Sequence, residues 1–376
     1  MKRLFLASVS IILLLSGCWD SRNMEDVTLS LGIGVDVTEE GLISVLNQVV
    51  VPPAQQGGSS SYNNVIGEGP TYHAAIRDVT TLEFPVYTQH QSIAVFNEGV
   101  LRGKRTLESL INQMIRDDHV RRSSLVLLTN EPTKEVLVAP DESTIPARFI
   151  TKLFGNRTHS SAILKASTLS SISSDLQEDL TFPMQMVVSD NGSASLSGSG
   201  IFKKGHLLKP LLNEQDNVRL NWLSGELEGG IIVSECNGDP LTFEILEVAT
   251  PDIEPTYQNG HFHFHIHQHF SGRISENWDT RDESFSDDYL QTCMAAVKKT
   301  VEDGASNMME RLQKEYKADA ARLYLEAQLA YPKLWQQIRD DWDDVYFANA
   351  SFDYELTIEV IDLGAKASRR NNPQIK

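Results

Sequence analysis

Residues 261–270 read HFHFHIHQHF. Histidine holds every odd position, and Phe262, Phe264, Ile266 and Phe270 hold even ones. A repeat of two sorts side chains to opposite faces only in an extended strand; on a helix the same residues would scatter around the axis. Asn259-Gly260 and Ser271-Gly272 bound the run with turn signals. From Tyr289 the period changes. Leu290, Met294, Val297, Val301, Met308 and Leu312 recur three, four or seven apart, which predicts one face of a long amphipathic helix to about Lys317. Further helix is predicted from Arg322 to Leu329 and again after Pro332, with Leu334, Trp335, Ile338, Trp342 and Val345 on its apolar side. The period then returns to two: Phe352, Tyr354, Leu356, Ile358 and Val360 alternate with polar residues, a half-buried closing strand. Strands followed by helices followed by a strand specify an α+β architecture.

The first half has the same mixture. Residues 27–51 form a hairpin rich in Val, Ile and Leu, ended by Pro52-Pro53, and QQGGSSSYNN follows as a polar loop. Residues 71–82 carry helical spacing at Ala75, Ile76, Val79 and Leu82. Residues 106–116 begin with Thr106 as cap and place Leu107, Leu110, Ile111 and Met114 on one face. QSIAVFN and SSLVLLT read as strands, and PARFITKLF as a helix. The small, polar run at residues 191–200 is expected to be a linker between two α+β regions.

The net charge of −18 sets this chain against nucleic acid and anionic head groups. Of three cysteines, Cys236 and Cys293 lie beyond the N-terminal segment. Two buried free thiols are the expected reading, because free cysteine packs as a small hydrophobe; a disulfide is the alternative. No HExxH motif and no GxSxG elbow is present. Glu226, Glu228 and Glu235 lie near glycines with no paired base or nucleophile, and are expected to be solvated. Asp340, Asp341, Asp343 and Asp344 flank Trp342 and offer an acidic surface for a cationic partner. The five histidines spread along a strand at ~3.4 Å per residue, so at most two or three meet one ion. The expectation is a polar strand face with weak adventitious metal binding at most. A pH-responsive surface is the secondary reading.

The N-terminus fixes where such a chain works. Lys2 and Arg3 precede an apolar run from Leu4 to Leu15, too short for a comfortable membrane span, and Leu15-Ser16-Gly17-Cys18 follows. That tetrapeptide resembles the lipobox of bacterial lipoproteins. The resemblance implies cleavage after residue 17 and acylation of Cys18 as the lipid attachment site. Two acyl chains at ~0.8 kcal/mol per buried methylene hold a protein stably on a bilayer.

The whole chain resembles the Ger(x)C family, the C subunits of spore germinant receptors. The resemblance rests on GCWDSRNMEDVTLSLGIGVD, HQSIAVFNEGVLRGK, LINQMIRDDHVRRSSLVLL, LNWLSGELEGGIIV, LQKEYKAD and PKLWQQIRDDWDDVY. It departs at AARLYLEAQL and in the histidines of residues 261–269. The resemblance implies a multi-domain α+β fold of small mixed β-sheets flanked by helices, with the long C-terminal amphipathic helix followed by a final strand. The expected regions are a signal peptide (1–17), an N-terminal region (18–190), the linker (191–200), a C-terminal domain (201–366) and a tail (367–376). The implied function is that of a non-enzymatic, lipid-anchored subunit on the outer face of the spore inner membrane. It would need no cofactor and no metal, and its partners would be two polytopic membrane subunits, A and B. A solute-binding lipoprotein serving a transporter is the alternative. That class shows two large βαβ lobes, which these short mixed strands do not suggest.

Overall fold

The structure, a computed structural model, describes residues 28–51, 61–81, 86–101, 107–116, 120–141, 144–278 and 286–362. The expected signal peptide, Cys18, the cap residue Thr106 and the tail lie outside the described residues.

Two sheets organise the fold. The first begins with the predicted hairpin, β1 (Thr28–Val37) and β2 (Ile43–Val51), and adds β3 (Ser61–Gly69) antiparallel to β2. β3 takes in residues expected as loop. It is legible only as an edge: Asn63, Asn64 and Ile66 face solvent and no strand among the described residues pairs beyond it. Helix α1 (Tyr72–Val79) starts at Thr71, whose hydroxyl accepts from Ala74 N at 3.2 Å. The short β4 (Val86–Tyr87) lies beside the start of β1. β5 (Ile93–Asn97), α2 (Leu107–Arg116), β6 (Leu125–Thr129), α3 (Thr133–Val136), α4 (Pro146–Leu153), α5 (Leu169–Gln177) and β7 (Phe182–Asp190) follow.

β1, β5, β6 and β7 run parallel as neighbours. A parallel core needs cover on both faces. Helices α1, α2 and α5 pack on one face against Val35, Ala94, Phe96 and Leu128, and α3 and α4 pack on the other against Ile93, Val95 and Leu127. That double burial is why QSIAVFN and SSLVLLT are continuous apolar runs rather than alternating ones.

The expected linker at residues 191–200 does not exist as one. Asn191 (φ 49°) and Gly192 (φ 81°) make the tight turn of a hairpin between β7 and β8 (Ser193–Lys203). The small residues that suggested a linker are there for close packing. A Cβ on Gly200 would lie 2.5 Å from Leu128 Cδ2, and Ser199 Oγ is buried against Asn217 Oδ1 at 2.6 Å. The short β9 (His206–Leu207) ends this sheet after a turn at Lys204-Gly205.

Helix α6 (Glu214–Ser224) leads into the second sheet. Asn213 and Asp216 form a reciprocal capping box at its start, and Gly225, at φ 68°, ends it. The strands are β10 (Gly230–Cys236), β11 (Asp239–Val248), β12 (Asp252–Gln258) and the 17-residue β13 (His261–Asn277). The long helix α7 (Asp287–Arg311) is capped by the Ser286 hydroxyl, with Asp287 and Asp288 at its positive end. After a wider helical turn at Leu312–Tyr316 come α8 (Tyr324–Ala330), α9 (Pro332–Ile338) and β14 (Ser351–Asp362). One edge of β13 pairs antiparallel with β12 and then with β11; the other pairs in parallel with β14.

One face of this sheet is covered. Phe262, Phe264 and Ile266 pack with Met308, Leu312, Trp335 and Trp342, and Phe270 packs with Phe243, Val297 and Val301. Val345, assigned to the apolar side of the last helix, is instead 47% exposed. The chain widens into a π-turn over Trp342–Phe347, which breaks the helical spacing assumed for it.

Gly272 is where β13 bends under β11. A Cβ there would sit 2.1 Å from the Glu244 carbonyl oxygen and 2.7 Å from the Phe243 ring, and the β13–β14 register shifts at the same point. Gly272→Ala is therefore expected to lose about 1–3 kcal/mol of stability, as overpacked sites do. Urea denaturation would show it, and an unchanged midpoint would mean the strands separate freely.

Candidate functional site

The histidine strand resolves as alternation predicts. Phe262, Phe264, Ile266 and Phe270 are buried, whereas the histidines occupy the open face. The neighbouring strands place carboxylates opposite them: Glu254 and Asp353 against His265, Asp252 and Glu355 against His267. His263 bonds Ser351 Oγ at 2.9 Å and lies 3.2 Å from Asp353 Oδ2; His269 lies 3.7 Å from Glu359 Oε2. His263, His267 and His269 thus each find a partner on β14 instead of converging on a shared centre. Among the described residues, no group of three or more His, Cys, Asp or Glu side chains is arranged to hold a metal ion.

The unused position in that alternation is Gln268. It faces the core, is 1% exposed, and donates to the Trp222 carbonyl at 3.0 Å, which ties β13 to the end of α6.

The most concentrated buried polar chemistry lies elsewhere, where the end of α7 and the turns after it meet the first sheet. Asp319 is fully buried. Its Oδ1 accepts from Leu323 N at 3.1 Å, and its Oδ2 accepts from Tyr324 N at 2.8 Å and from Trp342 Nε1 at 2.9 Å. The Asp319 N–H donates to Asp343 Oδ1 at 2.8 Å, and the Thr181 hydroxyl, just before β7, donates to Asp343 Oδ2 at 2.5 Å. Burial, and then the neighbouring Asp343 charge, push the Asp319 carboxyl up to about 7 against its hydrogen bonds, which pull the other way. Burial also raises Asp343. Ion pairs surround the buried carboxylates. Arg322 Nη2 meets Asp175 Oδ1 at 2.9 Å, Lys203 Nζ meets Asp344 Oδ1 at 2.7 Å, and Arg339 Nη1 meets Glu178 Oε2 at 3.4 Å.

This overturns part of the expectation for the acidic run around Trp342. Asp340 and Asp341 are exposed, but Asp343 points inward as an internal acceptor and Asp344 pairs with Lys203. Glu226 and Glu228 are not simply solvated. Glu226 lies 3.0 Å from Lys165 Nζ, and Glu228 pairs with Arg157. Only Glu235 stays exposed on β10 without such a tie among the described contacts. Sequence reasoning passed over Asp319 and Thr181. The only signal was local: Asp319 sits inside Ala318-Asp319-Ala320-Ala321, where small apolar neighbours imply burial.

Cys236 and Cys293 form a disulfide between the end of β10 and α7, with their Cα atoms 5.1 Å apart, which corrects the expectation of two free thiols. Both are buried, as expected, but an apolar stripe on a helix says only that a cysteine is inside, not what stands opposite it. An open cleft lies between β7, α6 and the turn before α8, beside Lys165, Ser167, Asn221, Glu226 and Arg322. Lys165 and Glu226 neutralise each other there and Arg322 is committed to Asp175, so its charges serve the fold.

Two family models match the chain nearly end to end. "Spore germination protein N-terminal domain" covers residues 20–188, and "Spore germination B3/GerAC like, C-terminal" covers residues 197–364. The chain belongs to the Ger(x)C family of spore germination proteins. Relatives agree over their full lengths. Spore germination protein A3 of Bacillus subtilis (strain 168) is 33% identical over 364 residues, 95% of this chain and 97% of that protein. Spore germination protein B3 of the same organism is 27% identical, over 94% of this chain and 96% of that one. The crystal structure of the GerBC protein superposes with a TM-score of 0.63 at 24% identity, covering 88% of this chain and 97% of that chain. It shows that this Ger(x)C chain shares the fold of that protein.

Proposed function

We propose that this Ger(x)C protein is the lipid-anchored, non-enzymatic C subunit of a nutrient germinant receptor, needed for the receptor's assembly and function. The observation that carries this reading is the similarity to spore germination protein A3 over 95% of the chain. The anchor reading rests on Leu15-Ser16-Gly17-Cys18. No helix among the described residues is long and apolar enough to cross a membrane, so the acyl chains on Cys18 would supply the attachment. The acidic body, at net charge −18, would gain nothing from anionic lipid. Its partners are the polytopic A and B subunits of the receptor, and its place is the outer face of the spore inner membrane. A non-catalytic role agrees with the way Asp343, Glu226 and Glu228 are each engaged in a structural contact.

Two experiments test this. Pull-down of the chain from spore inner membranes in mild detergent should bring two polytopic subunits with it. Recovery of the chain alone, with thermal stabilisation by a nutrient, would instead favour the solute-binding lipoprotein. In parallel, Cys18→Ala should move the chain from the membrane to the soluble fraction. If the variant stays on membranes after a salt wash, the lipid is not what holds it there.

A further inference from the structure

The buried carboxylates Asp319 and Asp343 lie side by side, the Asp319 N–H donating to Asp343 Oδ1 at 2.8 Å, and no Lys or Arg among the described residues lies within ion-pairing distance of either. The surrounding cations are committed elsewhere. From the loop before α8, Arg322 is taken by Asp175. From the turn after α9, Arg339 is taken by Glu178 and lies near Asp340. From the end of β8, Lys203 is taken by Asp344 and the Lys317 carbonyl, and Lys204 reaches the Asp340 carbonyl. The hydroxyl of Tyr324 accepts from Arg322.

One member of the pair borders the surface. A narrow crevice runs down to Thr181, Trp342 and Asp343, with Asp179, Lys204 and Asp340 among the residues that line it, whereas Asp319 lies wholly inside. The pair also sits on the seam. Thr181 immediately precedes β7 of the first sheet, Asp343 belongs to the π-turn beneath the second, and the two are joined by a hydrogen bond across 162 residues of sequence.

We propose that Asp319 and Asp343 act as a proton-operated fastener between the two halves of the molecule: one proton held by the pair keeps the seam closed, and its loss leaves two adjacent buried carboxylates whose repulsion loosens it. The hydrogen bonds decide which contacts respond. The three N–H donors of Asp319 favour its charged form, so the strain of a second charge falls on Asp343 and on its bonds to Thr181 and to the Asp319 N–H. Both halves of the seam feel the change, because Asp343 is the residue they share.

The sign follows from the raised carboxyl. A carboxyl that titrates higher folded than unfolded contributes stability that is fully present below the ordinary carboxylate range, and that stability is lost as pH rises through the folded value. For Asp319 that value is about 7. The seam should therefore be tight in mild acid and looser above neutrality. One proton changes the folding equilibrium by at most about tenfold per pH unit; that slope applies below neutrality and levels off once the folded carboxyl has itself ionised.

The test uses the full chain in detergent micelles, comparing urea midpoints and amide exchange at residues 181–184 and 319–324 from pH 5.5 to 8.5. Exchange is corrected for its intrinsic pH dependence. Wild type should lose stability and protection as pH rises from 5.5 towards neutrality, and level off above it. Asp343→Asn keeps both hydrogen bonds, because the Thr181 hydroxyl can turn to accept, and it should move the transition to lower pH by removing the second charge. Asp319→Asn should abolish the transition; if that variant fails to fold, Asp343→Asn alone decides. A control with His263→Gln and His269→Gln should leave the transition unchanged. A flat wild-type profile, a transition untouched by Asp343→Asn, or one removed by the histidine changes would each overturn the proposal.

Discussion

Asp319→Ala is expected to cost about 3–5 kcal/mol, because it strips the acceptor from several buried donors at once. The Leu323 and Tyr324 amides and the Trp342 indole N–H all end on this one carboxylate, at 2.8–3.1 Å, in a position with no exposure. A buried donor left without a partner costs roughly 1–3 kcal/mol, and alanine adds a void where the carboxylate stood. The three donors come from two separate turns, the start of α8 and the π-turn at Trp342, so the loss would release both from each other. Trp342 packs edge-on against Phe262 and Trp335, at centroid distances of 5.2 and 5.3 Å, and carries the disorder into the core beneath the histidine strand. Urea denaturation followed by tryptophan fluorescence measures the loss. It should be larger at pH 6 than at pH 8, since above neutrality the wild type already bears the charge that the variant lacks. A loss under about 1 kcal/mol would mean that water enters and satisfies the donors, and that the carboxylate is not the keystone of the turn.

The Cys236–Cys293 disulfide carries the second large effect. It closes a loop with a sequence separation of 57 residues, for which chain entropy in the unfolded state predicts about 4 kcal/mol. The double change Cys236→Ser, Cys293→Ser should lower stability by roughly that amount, less whatever the two hydroxyls lose by burial. The local consequence is as specific as the global one. Among the described strands β10 is the edge of its sheet, paired only with β11, and the bond pins its last residue to α7. Exposed Ile231 and Val233 on that strand leave it little else to hold it down on the outer side. Amide exchange in residues 230–236 should therefore rise most in the double variant. Equal stability of the oxidised and serine forms would show that the bond does not form in the protein as isolated, and would restore the free thiols.

Much of this molecule was legible as period. The alternation at residues 261–270, the apolar stripe from Leu290 to Leu312 and the alternation from Phe352 to Val360 became β13, α7 and β14, because a hydrophobic repeat states both the element and its buried face. The misses share a cause as well. β8 looked like a linker because Ser199 and Gly200 are small, yet they are small because Asn217 and Leu128 lie against them. Helix α5, with its serines, has little propensity of its own; its capping box at Thr168 and burial of Leu169, Ile172 and Leu176 make it helical.

By itself the sequence determined the α+β class, the order of most elements, the face each strand and helix buries, and the family, since these depend on local periodicity and on motifs contiguous in the chain. Only the tertiary structure decided which side chains meet. It paired Cys236 with Cys293 across 57 residues, set carboxylates beside His263, His265, His267 and His269, and brought Thr181 to Asp343 across 162. Contacts of that kind follow from how two sheets and their helices pack, and no local pattern encodes them: the hydrogen bonds that close the seam join residues whose neighbours in sequence look like any other polar surface.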